Sequence, residues 1–127
     1  RMYLDTDIVL ALIKDKDWLK KYIKINKIKN PKTSVLTLIE AELVLAREFG
    51  RKDVFRINQI KNYKIKILSL DEKIFNLSNK LLKQYNINIF DSLHAAFCLI
   101  NKEKILSTDH IFDVIENLER IDPREIK

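Results

Sequence analysis

Tyr3-Leu4-Asp5-Thr6-Asp7-Ile8-Val9-Leu10-Ala11-Leu12-Ile13 passes from a short apolar pair, through two acids and a threonine, into an unbroken apolar run. Tyr3-Leu4 reads as a buried strand and Asp7 to Ile13 as a buried helix, so Asp5 ends the strand. The alternation continues outward from there. Lys32 to Val35 is strand-like, and a helix from Thr37 to Phe49 stops at Gly50, which tolerates the left-handed conformation. Lys64 to Leu68 precedes a helix from Asp71 to Tyr85, with Ile74, Leu77, Ser78, Leu81 and Tyr85 at helical spacing. Ile89 to Ile100 is an apolar helix around Asp91. A strand at Lys104 to Ser107, a turn or helix from Asp109 to Ile115 and an edge strand at Leu118 to Ile121 complete the series. Arg51 to Asn62 reads as a further helix. Asp15 to Ile28 is a basic amphipathic segment with Trp18, Leu19, Tyr22 and Ile23 towards the core. Strands alternating with helices predict a parallel sheet covered on both faces. Such a sheet binds its ligand beyond the carboxyl ends of its strands.

The chain has 127 residues, 46% hydrophobic and 33% charged, which suits one domain, residues 1–127, with one packed core. Gly50 is the single glycine, which excludes the glycine-rich phosphate loops and the nucleophile elbow. Cys98 is the single cysteine, which excludes an intrachain disulfide and a cysteine-rich zinc site. The apolar runs fall short of the roughly 18 residues that span a bilayer, and no signal pattern opens the chain, so no membrane association and a cytoplasmic address are expected. The net charge of +6 is uneven. Residues 1–66 hold 16 basic and 8 acidic side chains, net +8; residues 67–127 hold 8 and 10, net −2. A basic half suits a polyanionic partner, although a solvated lysine surface has the same composition.

A few acids stand in apolar company, where a carboxylate persists only if paired, hydrogen-bonded or bound to a metal. Asp5 lies at a strand's carboxyl end and reads equally as a helix cap or a site residue. Glu40 follows a stretch without charge; Glu42 faces the opposite side of the helix, and periodicity leaves the choice between them open. Asp91 is the one charged side chain between Lys83 and Lys102, with a cap as the alternative role. Asp109 follows a strand and fits a turn equally well. If the strands of Asp5 and Asp109 are neighbours, these acids meet at the crevice, and helices add Glu40 and Asp91. Four charged carboxylates in one small site require a cation, and hard oxygen donors without thiolates favour Mg²⁺ or Mn²⁺.

At these residues the sequence resembles the PIN-domain ribonucleases, particularly the VapC-type toxins of toxin–antitoxin pairs. Tyr3-Leu4-Asp5-Thr6-Asp7 is similar to the family's hydrophobic-Asp-Thr-Asn/Ser opening. Ser34-Val-Leu-Thr-Leu-Ile-Glu40 resembles its second motif, which selects Glu40 over Glu42. Phe90-Asp91-Ser-Leu-His-Ala-Ala resembles its Asp-Ala-hydrophobic-x-Ala-Ala helix, and Leu106-Ser-Thr-Asp109-x-x-Phe112 its Thr-x-Asp-x-x-Phe turn. The four motifs occur in order, with their acids 35, 51 and 18 residues apart.

The resemblance implies a three-layer α/β/α sandwich around a mostly parallel sheet of four to five strands. It implies that Asp5, Glu40, Asp91 and Asp109 are the catalytic acids and hold one or two Mg²⁺ or Mn²⁺ ions. Metal-activated water would hydrolyse an RNA phosphodiester, leaving a 5′-phosphate and a 3′-hydroxyl. Thr6 would orient Asp5, Ser107 would stand where the family often has Thr, and Asp7 and Asp113 would be supporting acids. A homodimer and an antitoxin partner are implied as well. Arg47, Arg51, Lys52 and Arg56 bracket the end of the Glu40 helix, where they can steer RNA phosphates. His94 reads as a packed, hydrogen-bonded histidine, with a general base or ligand as the alternative; Cys98 reads as a packed core residue and His110 as a solvated turn residue. Two other functions compete: a PIN-like module that binds RNA or protein without cutting, and a haloacid-dehalogenase-type phosphatase with Asp5 as nucleophile and Asp7 as acid/base.

Overall fold

The computed structural model describes residues 1–50 and 56–126, with residues 56 and 57 described by their backbone alone. Five parallel strands form one sheet in the order β3-β2-β1-β4-β5. They are β1 (Met2–Leu4), β2 (Pro31–Ser34), β3 (Lys66–Leu68), β4 (Lys104–Leu106) and β5 (Arg120–Ile121). Four α-helices connect and cover them: α1 (Thr6–Ile13), α2 (Val35–Phe49), α3 (Glu72–Gln84) and α4 (Ile89–Asn101). Leu4 pairs with Leu106, which makes β1 and β4 neighbours and brings the residues after them together.

Alternation along the strands builds two cores. Tyr3 and Ile105 face one side with residues of α3 and α4, including Ile74, Leu81, Ala96 and Phe97. Leu4 and Leu106 face the other with α1, Ala41 and Leu45. The sheet is thus the middle of three layers. In α1, every residue from Ile8 to Ile13 is buried. Fully burying a side chain such as Ile8 contributes about 1.5–3 kcal/mol.

Short polar side chains start the helices. Ser34 accepts from the Thr37 N–H at 3.4 Å, Asp71 from the Ile74 N–H at 2.9 Å, and Asn88 from the Asp91 N–H at 2.8 Å. Gly50 ends α2 at φ +83°, and its N–H bonds the Ala46 carbonyl at 3.0 Å.

The basic segment departs from its expected form. It folds as two 3₁₀ turns, Lys20–Tyr22 and Ile25–Lys27, rather than one helical face. Leu19 and Ile23 reach the core, Tyr22 is half-buried, and Trp18 is 60% exposed. With three residues per turn, the tighter helix cannot hold all four on the stripe an α-helix would offer. Arg56–Asn62 is likewise a 3₁₀ helix.

Candidate active site

The strands' carboxyl ends put Asp5 immediately after β1 and Ser107, Thr108 and Asp109 immediately after β4. Asp5 is 8% exposed. Its Oδ1 accepts from the Thr6 N–H at 2.8 Å, and its Oδ2 from the Ser107 hydroxyl at 2.6 Å. Asp5 therefore caps α1 with one carboxylate oxygen and turns the other to the end of β4. The Ser107 hydroxyl oxygen also accepts from the Asp109 N–H at 3.0 Å, so one serine ties the first acid to the last. Asp109 stands exposed and caps the 3₁₀ helix His110–Val114 through the Ile111 N–H at 3.0 Å.

Glu40 arrives from α2. Its Oε1 accepts from the Thr6 hydroxyl at 2.9 Å and lies in a short hydrogen bond to His94 Nε2. Thr6 thus serves Asp5 through its backbone and Glu40 through its side chain, where the sequence assigned it to Asp5 alone. Asp91 enters on the first turn of α4. Asn88 does the capping there, and the Asp91 carboxylate lies close enough to Asp109 and Asp5 to feel their charges. His94 lies three residues further along the same helix face.

His94 is packed and hydrogen-bonded, as the sequence suggests, and its partners are two of the acids and Tyr3. It is 2% exposed, and its Nε2 lies 3.6 Å from Asp5 Oδ1 as well as against Glu40. Its Nδ1 lies 2.7 Å from the Tyr3 hydroxyl, which in turn lies 2.7 Å from the Ser34 hydroxyl. A chain of polar groups runs from Ser34 through Tyr3 and His94 to Glu40 and Thr6. With Nε2–H donating to the carboxylate, Nδ1 accepts from the tyrosine. The available signals were the i, i+3 spacing of Asp91 and His94 and the lone hydroxyl-bearing ring in the first strand.

The charges behave as one cluster. Burial raises the Asp5 carboxyl above the usual carboxylate range, and Glu40 adds to the rise against the opposing His94, Ser107 and Thr6. Asp91 is pushed up to about 6 by burial, then by the charges of Asp109 and Asp5, with Glu40 adding less and His94 opposing. Asp7 also rises to about 6, from burial first and then from Asp5. For His94, burial is the largest influence and acts downward, but the Glu40 hydrogen bond and the charges of Asp5, Glu40 and Asp91 together raise it.

Asp7 turns to β4's end. Its Oδ2 accepts from the Thr108 N–H at 3.0 Å and hydroxyl at 2.6 Å, while its buried Oδ1 has no hydrogen-bond partner. Asp113 lies elsewhere: it is exposed and bonded to Arg120 and His110, and it touches none of the four acids. Arg47 is exposed in the last turn of α2. Arg51 and Lys52 lie outside the described residues, as does the side chain of Arg56.

Among the described residues, no three His, Cys, Asp or Glu side chains are gathered closely enough to grip an ion as they stand. The donor set nevertheless fits a hard divalent cation. It is all carboxylate oxygen, each with a second lone pair beyond the bonds described, and an unpartnered carboxylate oxygen of Asp7 is buried beside it.

A parallel sheet with acids gathered at its carboxyl edge, Asp5 buried among them, defines an α/β architecture. The chain belongs to the PIN domain family, whose model matches residues 2–118. The fold is also that of several solved structures. A chain of DNA-bound VapBC from Salmonella typhimurium matches with TM-score 0.78 at 13% identity, over 97% of this chain and 98% of that one. VapC20 of Mycobacterium tuberculosis, described as a sarcin–ricin loop cleaving toxin, matches with TM-score 0.73 at 15% identity, over 87% and 91%. VapBC2 of Rickettsia felis, bound to a promoter fragment, matches with TM-score 0.73 at 17% identity, over 95% and 98%. No curated protein sequence gives a significant match. No described helix is long and apolar enough to cross a membrane.

Proposed function

We propose that residues 1–127 form one PIN unit that acts as a metal-dependent endoribonuclease, the toxin of a VapBC-type pair. The observation that supports this best is the linkage of the acids. Ser107 joins Asp5 to Asp109, and His94 and Thr6 join Glu40 to the same point. Asp5, Glu40, Asp91 and Asp109 are the residues that would hold Mg²⁺ or Mn²⁺. When bound, the ion supplies activation of water and neutralisation of a phosphoryl oxygen. The protein's own part is positional. Ser107 and the Thr6 N–H fix Asp5 in one rotamer, and His94 and the Thr6 hydroxyl fix Glu40. Arg47, Arg51, Lys52 and Arg56 attract the RNA backbone.

The partner side follows the same reading. Ile39 and Leu43 are exposed on either side of Glu40, and Ile89 and Phe90 directly precede Asp91. Such an apolar rim suits an antitoxin segment lying across the crevice. Exposed Leu70 and Phe75 offer a homodimer an apolar face. A cytoplasmic address accords with these partners.

The test is cleavage of single-stranded RNA with Mg²⁺ or Mn²⁺, comparing the wild type with Asp5→Asn and Asp91→Asn. The expected result is cleavage that leaves 5′-phosphate ends, stops in EDTA and is lost in both variants. Equal cutting by wild type and variants would refute the catalytic assignment. Metal-dependent RNA binding without cutting would return the protein to the class of binding modules. The phosphatase alternative is set aside, because the chain matches the PIN domain family over residues 2–118.

A further inference from the structure

Trp18 is the chain's one tryptophan. At 60% it is the most exposed of the large apolar side chains described. Its indole meets Tyr22 edge-on, with centroids 6.4 Å apart at 71°. The Arg124 guanidinium lies 5.8 Å from the indole centroid, and Lys21 Nζ lies 5.2 Å from that of Tyr22. Arg124 is held in place. Its Nε and NH2 groups donate to the two oxygens of Asp122 at 2.8 and 2.6 Å, and its backbone N–H donates to Oδ1 at 2.9 Å. The segment from Lys14 to Lys29 brings seven lysines against two aspartates. Lys16, Lys20, Lys21 and Lys24 are exposed.

The sheet register fixes where this cluster lies. Leu4 pairs with Leu106, and Leu106 with Ile121. The next residues, Asp5, Ser107 and Asp122, therefore form one row along the carboxyl edge. Two strand spacings, about 10 Å, separate the strand of Asp5 from that of Asp122. Arg124 ties the aromatic cluster to that row at Asp122, while Lys20 Nζ donates to the Lys14 carbonyl, at the end of α1 away from Asp5, at 2.9 Å.

We propose that Trp18, Tyr22 and Arg124 form a stacking platform for a base of single-stranded RNA, with the exposed Lys16 and Lys21 facing its phosphates. This rests on the ribonuclease reading and extends it to a second contact with RNA. An open indole accepts any base, because every base has a π-face, and a pre-positioned guanidinium serves both stacking and phosphate contact. A second copy of this chain is a poor occupant, since a two-fold interface would set Lys16, Lys20, Lys21 and Arg124 against their own copies. An acidic protein segment would satisfy the charge but leave the aromatic pair without a planar partner.

The experiment uses the full chain in EDTA, where the RNA stays intact, and a ten-nucleotide single-stranded RNA. Saturable quenching of Trp18 emission is expected. Trp18→Leu should weaken binding, measured by anisotropy of a labelled oligonucleotide, about tenfold. Trp18→Phe should restore most of the loss. Four results would overturn the platform: no RNA binding, binding without a change in Trp18 emission, wild-type affinity in Trp18→Leu, or equal quenching by a poly-glutamate peptide. Quenching that follows protein rather than RNA concentration would instead identify a self-association surface and also overturn it. A chain that binds and quenches but never cuts when Mg²⁺ is added would refute the ribonuclease reading and leave the platform standing.

Discussion

Asp5 and Glu103 are both buried carboxylates, 8% and 5% exposed, at opposite ends of the same sheet. Asp5 follows β1 at the carboxyl edge, and Glu103 precedes β4 at the amino edge. Around Asp5 stand neutral donors, a histidine and further acids. Glu103 instead forms a short ion pair with Lys32, and its other oxygen has no partner. Burial is thus the same while the compensation differs. Glu103 is cancelled by a fixed cation and holds two strands together. Asp5 is oriented by hydrogen bonds but not neutralised, which is the condition of a site awaiting a cation or a proton. The strands' common direction sorts the two kinds of acid to opposite edges.

The largest effect that would separate the edges is on activity. Asp5→Asn is expected to lower RNA cleavage about a thousandfold, measured as kcat/KM, with little loss of thermal stability. Lys32→Met should show the reverse. It strands Glu103 as an unpaired buried charge, costing about 3 kcal/mol in urea unfolding, while cleavage per folded molecule is unchanged. Lys32→Met combined with Glu103→Leu should recover most of that loss. If Lys32→Met lowers cleavage as Asp5→Asn does, the contrast between the edges fails.

Smaller effects refine the same contrast. Tyr3→Phe keeps the ring stacked on Phe97, with centroids 5.9 Å apart, but removes the hydroxyl between Ser34 and His94. The expected loss is about 1–2 kcal/mol of stability. Cleavage should fall about tenfold as Glu40 loosens. Unchanged cleavage would confine the Tyr3–His94 chain to packing.

The smallest effect concerns Asp122, whose carboxyl is lowered from 3.8 to about 2 by its hydrogen bonds to Arg124, with Arg120 contributing less. A lowered carboxylate stabilises the fold above its unfolded pKa, and the benefit disappears as pH falls from about 4 towards 2. Asp122→Asn should therefore cost about 1 kcal/mol at pH 7, since Arg124 is exposed and solvent screens the pair from that side, and nothing near pH 2. A loss independent of pH would show that packing, not charge, is at stake.

The strands and the helices were legible in the sequence because each depends on near neighbours, and the four acids were picked out by an ordered motif. Asn88 and Ser34 capped their helices without needing distant contacts. His94 is packed and hydrogen-bonded as its apolar surroundings suggest, but its partners were not legible. Tyr3 is 91 residues away and Glu40 54, so only the register of β1 against its neighbours brings them together. Trp18 stands outside the core because the chain turns at Trp18 and Leu19, before the first 3₁₀ helix begins. Asp113 shares the fourth motif's neighbourhood, but Arg120, arriving on β5, draws it to the surface.

The cap that Asp5 provides for α1 bears on how an inactive protein should be made. Removing the side chain with Asp5→Ala withdraws a charge from the crevice and also an acceptor from the first turn of the helix that fills one core. A dead enzyme made that way confounds lost chemistry with a loosened fold. Asparagine caps a helix about as well as aspartate, so its amide oxygen can still receive the Thr6 N–H while the charge is gone. The amide separates two duties that a single carboxylate performs at once.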